Sequence, residues 1–258
     1  SFHATGTAGG KRYVRGFQKP MIRRADALLA VAEEHKRYLV DAEGLDARQI
    51  TVIHNGVDPN RYRPGPAPDE LARELGFDGS ECIVIAVGSL KPLKGFDFLL
   101  RAAAGAFANR KDLRLVIVGD GAERNSLEAL SESLGVRDRV TFTGVRRDVD
   151  ALLRMSDLLV LSSWTEAFPN VVLEAMATGL PVISTDVGSV REVVREGENG
   201  LIVPPKDVDA LNSALRSMLA DPGRMATFGE AGRKIVEESF RLEDMCRKRE
   251  RVFANILC

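Results

Sequence analysis

From Cys82 onward the sequence alternates short apolar runs with longer amphipathic stretches, and this alternation constrains the fold more than any other feature. Turn-forming residues bound each apolar run, which predicts buried parallel strands with helices between them. The predicted strands are Cys82–Val87, Leu113–Val118, Val140–Phe142, Leu158–Leu161, Val182–Ser184 and Leu201–Val203. The predicted helices are Phe96–Ala108, Ala122–Leu134, Val149–Met155, Asn170–Thr178 and Val190–Arg195. This order indicates a doubly wound parallel α/β sheet, which binds ligands at the carboxyl ends of its strands.

The bulk composition is that of a globular protein with a substantial core. The 258 residues are 45% hydrophobic and 28% charged, and the formal net charge is −1. This balance gives no overall field that would favour nucleic acid or a membrane. The cysteines Cys82, Cys246 and Cys258 are widely separated, which indicates neither a disulfide framework nor a zinc site and favours a reducing, cytoplasmic compartment.

The stretch Thr165–Pro181 is the clearest candidate for chemistry. Strands are predicted on both sides of it, with a loop that ends at Asn170 and a helix that stops at Gly179. We expect Asn170 to cap this helix, and Glu174, four residues later, to lie on the same helical face. The first N–H groups of the helix can bind an anion, and the Glu174 carboxylate can accept from two hydroxyl groups. A phosphate beside a diol describes a nucleotide sugar.

The same residues also have an ordinary structural interpretation. Glu166 and Glu174 are eight positions apart, a spacing that arises by chance in an acidic chain, and a loop residue such as Glu166 is ordinarily solvated. Glu174 lies between apolar residues, where a charge is paired, ligand-facing or on a thin exposed stripe. The pattern alone leaves both interpretations open.

The segment Glu-Ala-Phe-Pro-Asn-Val-Val-Leu-Glu-Ala-Met-Ala-Thr-Gly-Leu-Pro-Val, which starts at Glu166, resembles the Glu-x7-Glu signature of retaining glycosyltransferases of the GT-B fold, in family four. The resemblance implies two Rossmann-like lobes, the second of which binds the nucleotide-sugar donor. It implies that Glu166 contacts the donor sugar beside the anomeric centre and that Glu174 holds the ribose hydroxyls. The implied donor-binding residues between them are Ala167, Phe168, Asn170 and Val171.

A second part of the resemblance follows the strand that starts at Cys82. The segment Gly88–Gly95 is similar to the family's Gly-Arg-x-x-x-x-Lys-Gly, whose two basic residues clamp the diphosphate. Ser89 occupies the position of the Arg, so Lys94 is the main expected cation, with help from Lys91. The small residues Gly88 and Ser89 let a ligand approach the backbone. The ordinary alternative for Lys94 is an exposed loop lysine.

Two features of the first residues enter the same prediction. The start of the chain, Phe-His-Ala-Thr, is similar to the family segment whose His, here His3, contacts the donor sugar or its leaving phosphate. Between Lys11 and Arg24 there are six basic residues and no acid, interleaved with apolar ones. This pattern predicts an amphipathic helix that lies either on the inner face of an anionic membrane or on the protein with a solvated basic face. The lipid-linked acceptors of the family favour the membrane.

The segment Phe142–Arg147 resembles the base-binding loop of the family, in which the backbone at Val145 pairs with the nucleobase. Backbone recognition leaves no side-chain signature of the base, and we favour UDP over GDP as the donor nucleotide. The resemblance implies a metal-independent enzyme of polysaccharide biosynthesis, with no cofactor besides the donor. In the loop after the strand Val182–Ser184, Gly188 is expected to allow a close approach.

Two further motifs favour ordinary explanations. Asp148–Asp150 and Asp207–Asp209 match the Asp-x-Asp pattern of metal-dependent glycosyltransferases, but both begin predicted helices, where acids act as caps. We therefore predict no metal ligands. The glycines Gly119 and Gly121 form an incomplete dinucleotide fingerprint, and turn chemistry is the expected reason for both.

The resemblance divides the chain into three parts. Residues 1–57 end an N-terminal acceptor lobe, residues 58–240 form the donor domain, and residues 241–258 form a helix that crosses back to the first lobe. The chain starts mid-pattern without Met, so we expect the rest of the first lobe to be missing. Three functions remain open: a hexosyltransferase that acts on a glycan or lipid-linked hydroxyl, a donor-nucleotide-binding fragment without turnover, and a nucleotide-sugar epimerase or hydrolase.

Overall fold

The computed structural model describes residues 25, 27–108 and 110–257. The predictions that concern His3 and the basic segment Lys11–Arg24 lie outside the described residues. Within the described part of the chain, none of the helices combines the length and the apolar character that a membrane crossing requires.

The first described segment folds into a small β–α–β unit. The strands β1 (Leu28–Ala30) and β2 (Ile50–Val52) pair in parallel, and the helix α1 (Glu33–Asp41) lies between them along the chain. A parallel pair needs a crossover of this kind, because its strands cannot be joined by a tight turn. The unit has its own small apolar core, formed by Ala30, Leu45 and Ile50.

A six-stranded parallel sheet forms the centre of the rest of the described chain. Its strands are β3 (Cys82–Val87), β4 (Leu113–Val118), β5 (Val140–Gly144), β6 (Leu158–Leu161), β7 (Val182–Thr185) and β8 (Gly200–Val203). They lie in the order β5-β4-β3-β6-β7-β8. The order reverses between β3 and β6, so the carboxyl ends of these two strands flank the topological switch point where such sheets bind ligands.

Helices cover both faces of this sheet. They are α2 (Asp69–Glu74), α3 (Phe96–Phe107), α4 (Arg124–Ser133), α5 (Val149–Met155), α6 (Asn170–Thr178), α7 (Val208–Leu219), α8 (Pro222–Ser239) and α9 (Leu242–Leu257). Successive side chains of a strand point to opposite faces, so Ile83 and Ile85 of β3 join one buried cluster while Val84 and Ala86 join another. Both faces of the sheet are apolar, which is why its strands are continuous apolar runs in the sequence.

The predicted doubly wound parallel sheet is confirmed, and β3, β4, β6, α5 and α6 have the predicted bounds. The predicted helix Val190–Arg195 is wrong, because a short 3₁₀ turn, Gly188–Glu192, occupies this region. Contacts from outside hold the turn: the Glu192 carboxylate accepts from the backbone N–H groups of Glu33 and Glu34 at the start of α1. Such tertiary contacts override local helix propensity.

The predicted cap of α6 is also wrong. Asn170 is the first residue inside the helix, and Pro169 precedes it without any side-chain capping bond. The side-chain oxygen of Asn170, Oδ1, has another partner, because it accepts from the side-chain amide of Asn55 at 2.8 Å. In the first turn of α6, the backbone N–H groups of Asn170 and Val172 donate to the carbonyls of Phe168 and Pro169, at 3.1 and 3.0 Å.

The two Asp-x-Asp pairs behave differently from one another. Asp207 caps α7 as expected, since its carboxylate accepts from the N–H of Ala210 at 2.9 Å. Asp148 does not cap α5, because its carboxylate pairs with the Arg146 guanidinium at 2.6 Å instead. Asp150, two residues further on, lies 3.2 Å from the Arg154 guanidinium. Asp207 therefore binds a backbone N–H group, whereas Asp148 and Asp150 pair with arginines.

The start of the last helix contacts the segment between β2 and β3, which connects the two sheets. Val57 donates to the carbonyl of Phe240 at 2.9 Å and accepts from the N–H of Leu242 at 3.0 Å. A Cβ atom at Gly56 would lie 2.6 Å from the carbonyl oxygen of Arg241. The last helix, α9, therefore begins directly against the segment that follows β2.

Candidate active site

Two charged side chains meet at the switch point of the large sheet. Lys94 follows β3 and Glu166 follows β6, and the Lys94 Nζ lies 2.5 Å from the Glu166 Oε1. The Ser163 hydroxyl donates to the same carboxylate oxygen at 2.6 Å. The side chains of Lys94 and Glu166 are only 28% and 12% exposed, so solvent screens this pair less than a surface pair. The fold therefore brings together two residues that the sequence predicted for one site.

Backbone contacts hold the loop that carries Lys94. The turn Pro92–Lys94 ends at Gly95, whose φ of +62° is left-handed. A Cβ atom there would lie 2.2 Å from the carbonyl oxygen of Ser162, so only glycine fits. The Ser162 hydroxyl donates to the carbonyl of Lys94 at 2.9 Å. The loops after β3 and β6 are thus fixed to each other, and Lys94 is not the exposed loop lysine of the ordinary alternative.

Trp164 supports the loop that carries Glu166, and no sequence motif pointed to it. Its backbone N–H donates to the carbonyl of Leu93 at 2.8 Å. Its ring packs edge-on against Phe98 of α3, with 5.6 Å between the ring centroids. The Lys206 Nζ lies 4.2 Å from the Trp164 ring centroid, which is a cation–π contact. Packing from α3 and from the chain after β8 therefore braces the loop.

The turn after β7 lies directly behind Glu166. Gly188 has a φ of +53°, and a Cβ atom there would lie 1.9 Å from the carbonyl oxygen of Glu166. The close approach expected at Gly188 is confirmed, and its partner is the backbone of Glu166. The Ser189 hydroxyl donates to the carbonyl of Ala167 at 2.9 Å, while the Ala167 side chain is exposed. This turn fixes the backbone on which Glu166 stands.

Glu174 lies on α6 and is partly buried among apolar neighbours. Burial raises the pKa of its carboxyl, whereas a hydrogen bond from the Tyr62 hydroxyl and the charge of Arg61 lower it by less. Burial and the neighbouring Glu174 charge raise the pKa of Tyr62 to about 12. Sequence reasoning missed Tyr62 and Arg61, because they lie far from Glu174 along the chain and carry no motif.

The start of α6 offers backbone rather than side chains at most positions. Asn170 and Ala167 are exposed, and Val171 is partly buried. The Phe168 ring is buried, with its centroid 5.8 Å from that of His54 and 6.3 Å from that of Phe240. The Phe168 side chain therefore contributes packing, and its backbone is what it can offer to a ligand.

The ends of β3, β4 and β5 also come together. The N–H of Gly119 donates to the carbonyl of Gly144 at 2.8 Å. A Cβ atom at Gly119 would lie 1.9 Å from the carbonyl oxygen of Gly88, which confirms the turn role expected for Gly119. Beside them Ser89 is exposed, and Val145 keeps 79% of its surface exposed. Ser89 and Val145 are therefore open to solvent at this edge of the sheet.

The sequence-predicted residues within the described part of the chain all follow the carboxyl ends of β3, β5 and β6, the edge that includes the switch point. His3, the remaining one, lies outside the described residues. Among residues 25, 27–108 and 110–257, no group of three or more His, Cys, Asp or Glu side chains is arranged to hold a metal ion.

Solved structures with known folds are similar over nearly the whole chain. Sucrose-phosphate synthase from Thermosynechococcus elongatus is 28% identical, with a TM-score of 0.84 over 97% of this chain and 64% of that chain. HepE from Anabaena, in complex with UDP and glucose, is 26% identical, with a TM-score of 0.86 over 93% of this chain and 66% of that chain. These similarities and the parallel α/β sheet show the GT-B fold.

Sequence comparisons agree with the structural ones. The D-inositol 3-phosphate glycosyltransferase of Rhodococcus jostii is 38% identical over 219 residues, which cover 81% of this chain and 48% of that protein. The chain spans about half the length of the curated relatives it matches. Residues 1–61 match the family described as Glycosyltransferase Family 4. Residues 68–235, which include Lys94, Glu166 and Glu174, match the family described as Glycosyl transferases group 1. The chain therefore belongs to the group 1 family of glycosyl transferases.

Proposed function

We propose that this chain carries the donor site of a retaining glycosyltransferase, which moves a sugar from a nucleoside-diphosphate sugar to an acceptor hydroxyl. The contact between Lys94 and Glu166 at the switch point, 2.5 Å from Nζ to Oε1, carries the proposal. A sugar diphosphate needs a cation for its phosphates and an acceptor for its sugar hydroxyls, and these two side chains supply both at one edge of the sheet. Membership of a glycosyltransferase family supports the same assignment.

In this proposal the donor lies along the carboxyl ends of β3, β5 and β6. The base meets the exposed loop at Val145, and Glu174 accepts from the ribose hydroxyls. The diphosphate lies between Lys94 and the start of α6, where the positive end of the helix dipole favours an anion. The small residues Gly88 and Ser89 leave room for the phosphates to approach the backbone.

The main chemical work is the stabilisation of the leaving diphosphate. When the bond between the anomeric carbon and the phosphate oxygen breaks, negative charge grows on that oxygen and positive charge on the sugar ring. Lys94 and the N-terminus of α6 stabilise the negative charge, and removal of one such group typically costs about 3–4 kcal/mol, or about 10²–10³ in rate. The leaving phosphate accepts the proton of the acceptor hydroxyl, so Glu166 positions sugar hydroxyls and need not act as a nucleophile.

We propose UDP rather than GDP as the donor nucleotide, and the similarity to HepE, whose structure contains UDP and glucose, supports this choice. The Rhodococcus relative is named for D-inositol 3-phosphate, which makes a sugar-alcohol phosphate the first acceptor to test. The glycan or lipid-linked acceptor, the role of His3, membrane contact by Lys11–Arg24 and a cytoplasmic location rest on the sequence and stay predictions.

Proton NMR of a reaction mixture tests the proposal. The chain is incubated with a panel of UDP-sugars and GDP-sugars, with and without D-inositol 3-phosphate, and the anomeric signals of donor and product are compared. We expect nucleotide release that depends on the acceptor and a product with the anomeric configuration of the donor. Glu166→Gln should remove this activity, and Glu132→Ala, an exposed change on α4, should leave it intact.

Three other results would contradict parts of the proposal. A product with the opposite configuration would exclude a retaining reaction. Release of the nucleotide and free sugar without an acceptor would identify a hydrolase. Donor binding without any turnover would reduce the function of this chain to that of a nucleotide-binding module.

A further inference from the structure

Three polar side chains from distant parts of the chain form a continuous hydrogen-bonded series that ends at the candidate site. The guanidinium of Arg249, on α9, donates to the Asn55 Oδ1 at 3.3 Å. The Asn55 Nδ2 donates to the Oδ1 of Asn170, the first residue of α6, at 2.8 Å. Asn55 lies in the segment between β2 and β3, which connects the two sheets. The series therefore joins α9, the segment between β2 and β3, and α6.

Arginine fixes the direction of every hydrogen bond in this series. A guanidinium can only donate, so the Asn55 atom that faces Arg249 must be its carbonyl oxygen. The opposite atom of the Asn55 amide is then its nitrogen, which donates, so the Asn170 atom that faces Asn55 must be an acceptor. The partners of an amide decide its orientation in this way. The Asn170 Nδ2, with its two N–H groups, is consequently the atom that faces away from Asn55.

This orientation matters because Asn170 stands at the N-terminus of α6. Its side chain is exposed, and in the described part of the chain its Nδ2 has no hydrogen-bond acceptor. The N–H groups of an amide attract phosphate or hydroxyl oxygens, whereas its carbonyl oxygen repels a phosphate. The positive end of the α6 dipole acts in the same direction as the N–H groups of the Asn170 amide.

We propose that Asn55 is a positioning residue for the donor: it holds the Asn170 amide so that N–H groups, and not the carbonyl oxygen, face the diphosphate. The inference rests on the proposed donor site. Asn55 itself is held firmly, because its neighbour Gly56 packs against the carbonyl of Arg241 so closely that a Cβ atom would lie 2.6 Å away. The residue that follows, Val57, is bonded to the backbone on both sides of Arg241.

The substitution Asn55→Asp tests the inference, because a carboxylate has nearly the same shape but can only accept. Arg249 can still donate to it, and Asn170 must then turn its amide around to donate, which places its carbonyl oxygen towards the diphosphate. Titration calorimetry with UDP and with uridine separates phosphate recognition from nucleoside recognition. We expect Asn55→Asp to weaken UDP binding about tenfold and to leave uridine binding within about twofold.

Two comparisons distinguish positioning from a direct effect of the new charge. In an Asn170→Ala background, Asn55→Asp should change UDP affinity by less than about twofold, because its effect passes through the Asn170 amide. An equal loss in that background would overturn the inference. The matched control Asn60→Asp, which adds the same charge at an exposed position nearby, should leave UDP affinity near that of the wild type.

A second variant covers the case in which Asn55→Asp does not fold. Asn55→Ala frees the Asn170 amide to rotate instead of reversing it, so we expect a smaller loss of about threefold for UDP and none for uridine. Equal losses for UDP and uridine in either variant would indicate a merely structural role and overturn the inference. If the wild type binds neither UDP nor GDP, the proposed function fails and this inference fails with it. If the wild type binds UDP and both variants bind it equally well, the inference alone fails.

Discussion

The Lys94 ammonium lies 2.5 Å from a carboxylate oxygen of Glu166, although the two residues are 72 positions apart in the sequence. The contact joins the loops after β3 and β6, the two strands that flank the switch point. A diphosphate that approaches Lys94 must therefore come close to the negative charge of Glu166 as well. The pair thus favours a ligand that brings both an anion for Lys94 and hydroxyl groups for Glu166, such as a sugar diphosphate.

We predict that Glu166→Gln binds UDP more tightly than the wild type. UDP lacks the transferred sugar, whose hydroxyls Glu166 would accept from, so the carboxylate only repels its phosphates and competes for Lys94. Removal of this charge should improve UDP affinity by about three- to tenfold in titration calorimetry at low salt, with a smaller gain at high salt. Glu132→Gln is the control, since its exposed carboxylate lies on α4. A weakened UDP complex in Glu166→Gln would show that the carboxylate supports phosphate binding.

Glu174→Gln should stabilise the fold at neutral pH and weaken UDP binding. Burial raises the pKa of Glu174 above its usual 4.5, so the folded chain binds this proton more tightly than the unfolded chain does. Stability therefore falls as the pH rises through the raised pKa, and the ionised carboxylate destabilises the fold above it. Glutamine removes that charge, so we expect Tm to rise by about 2 °C at neutral pH.

The pH dependence provides the check on this prediction. Thermal unfolding of wild type and Glu174→Gln should differ most above the raised pKa, and the difference should vanish at a pH below 4.5, where Glu174 is protonated in both states. A gain that is the same at every pH would mean that the charge of Glu174 is not its cause. The affinity for UDP at neutral pH should fall about tenfold in the same variant, because an amide nitrogen replaces one acceptor oxygen.

The parts of the fold that could be predicted from sequence are those with a local cause. The strand Leu158–Leu161 and the helix Asn170–Thr178 have their predicted bounds, because an apolar run and a glycine stop lie in the residues themselves. Lys94 and Glu166 could be assigned to one site because each follows a strand of a parallel sheet and matches a family motif. Their direct contact could not be predicted, since it depends on the order of the strands.

Other features depend on partners that are distant along the chain. Tyr62 acts on Glu174 from a segment that carries no motif of its own. The side chain of Asn170 accepts a hydrogen bond from Asn55 and does not cap the helix. A residue suited to be a helix cap therefore lies inside the helix instead. The turn Gly188–Glu192 replaces a predicted helix, and contacts at both of its ends hold it: Gly188 packs against the backbone of Glu166, and Glu192 binds the start of α1. Local propensity carries no information about such contacts.

Gly188→Ala should destabilise the chain more than Gly197→Ala. Both glycines have a left-handed φ, +53° at Gly188 and +77° at Gly197, which costs alanine about 1 kcal/mol. Only Gly188 is also crowded, since its Cβ would lie 1.9 Å from the carbonyl oxygen of Glu166, while nothing lies within 4 Å at Gly197. We expect urea unfolding to give a loss of about 3 kcal/mol or more for Gly188→Ala. Equal losses would mean that the loop of Glu166 can move away without cost.

Ser89→Arg should improve the binding of UDP. Ser89 is exposed after β3 and stands where the family motif has an arginine, whose planar group donates two hydrogen bonds to a phosphate. We expect calorimetry to show about tenfold tighter UDP binding, with little change for uridine. Ser80→Arg adds the same charge at an exposed position before β3, at the opposite end of the strand. An equal gain in Ser80→Arg would indicate a general charge effect instead of a phosphate contact.

The most direct test of the account is a comparison of UDP and uridine binding by the wild type, Lys94→Met and Lys111→Met. Lys94 is the proposed phosphate cation at the switch point, and Lys111 is an exposed lysine elsewhere on the chain. We expect Lys94→Met to weaken UDP binding by about tenfold or more and to leave uridine binding unchanged, while Lys111→Met binds both like the wild type. Equal UDP affinity in the wild type and Lys94→Met would contradict the assignment of the switch point as a nucleoside-diphosphate site.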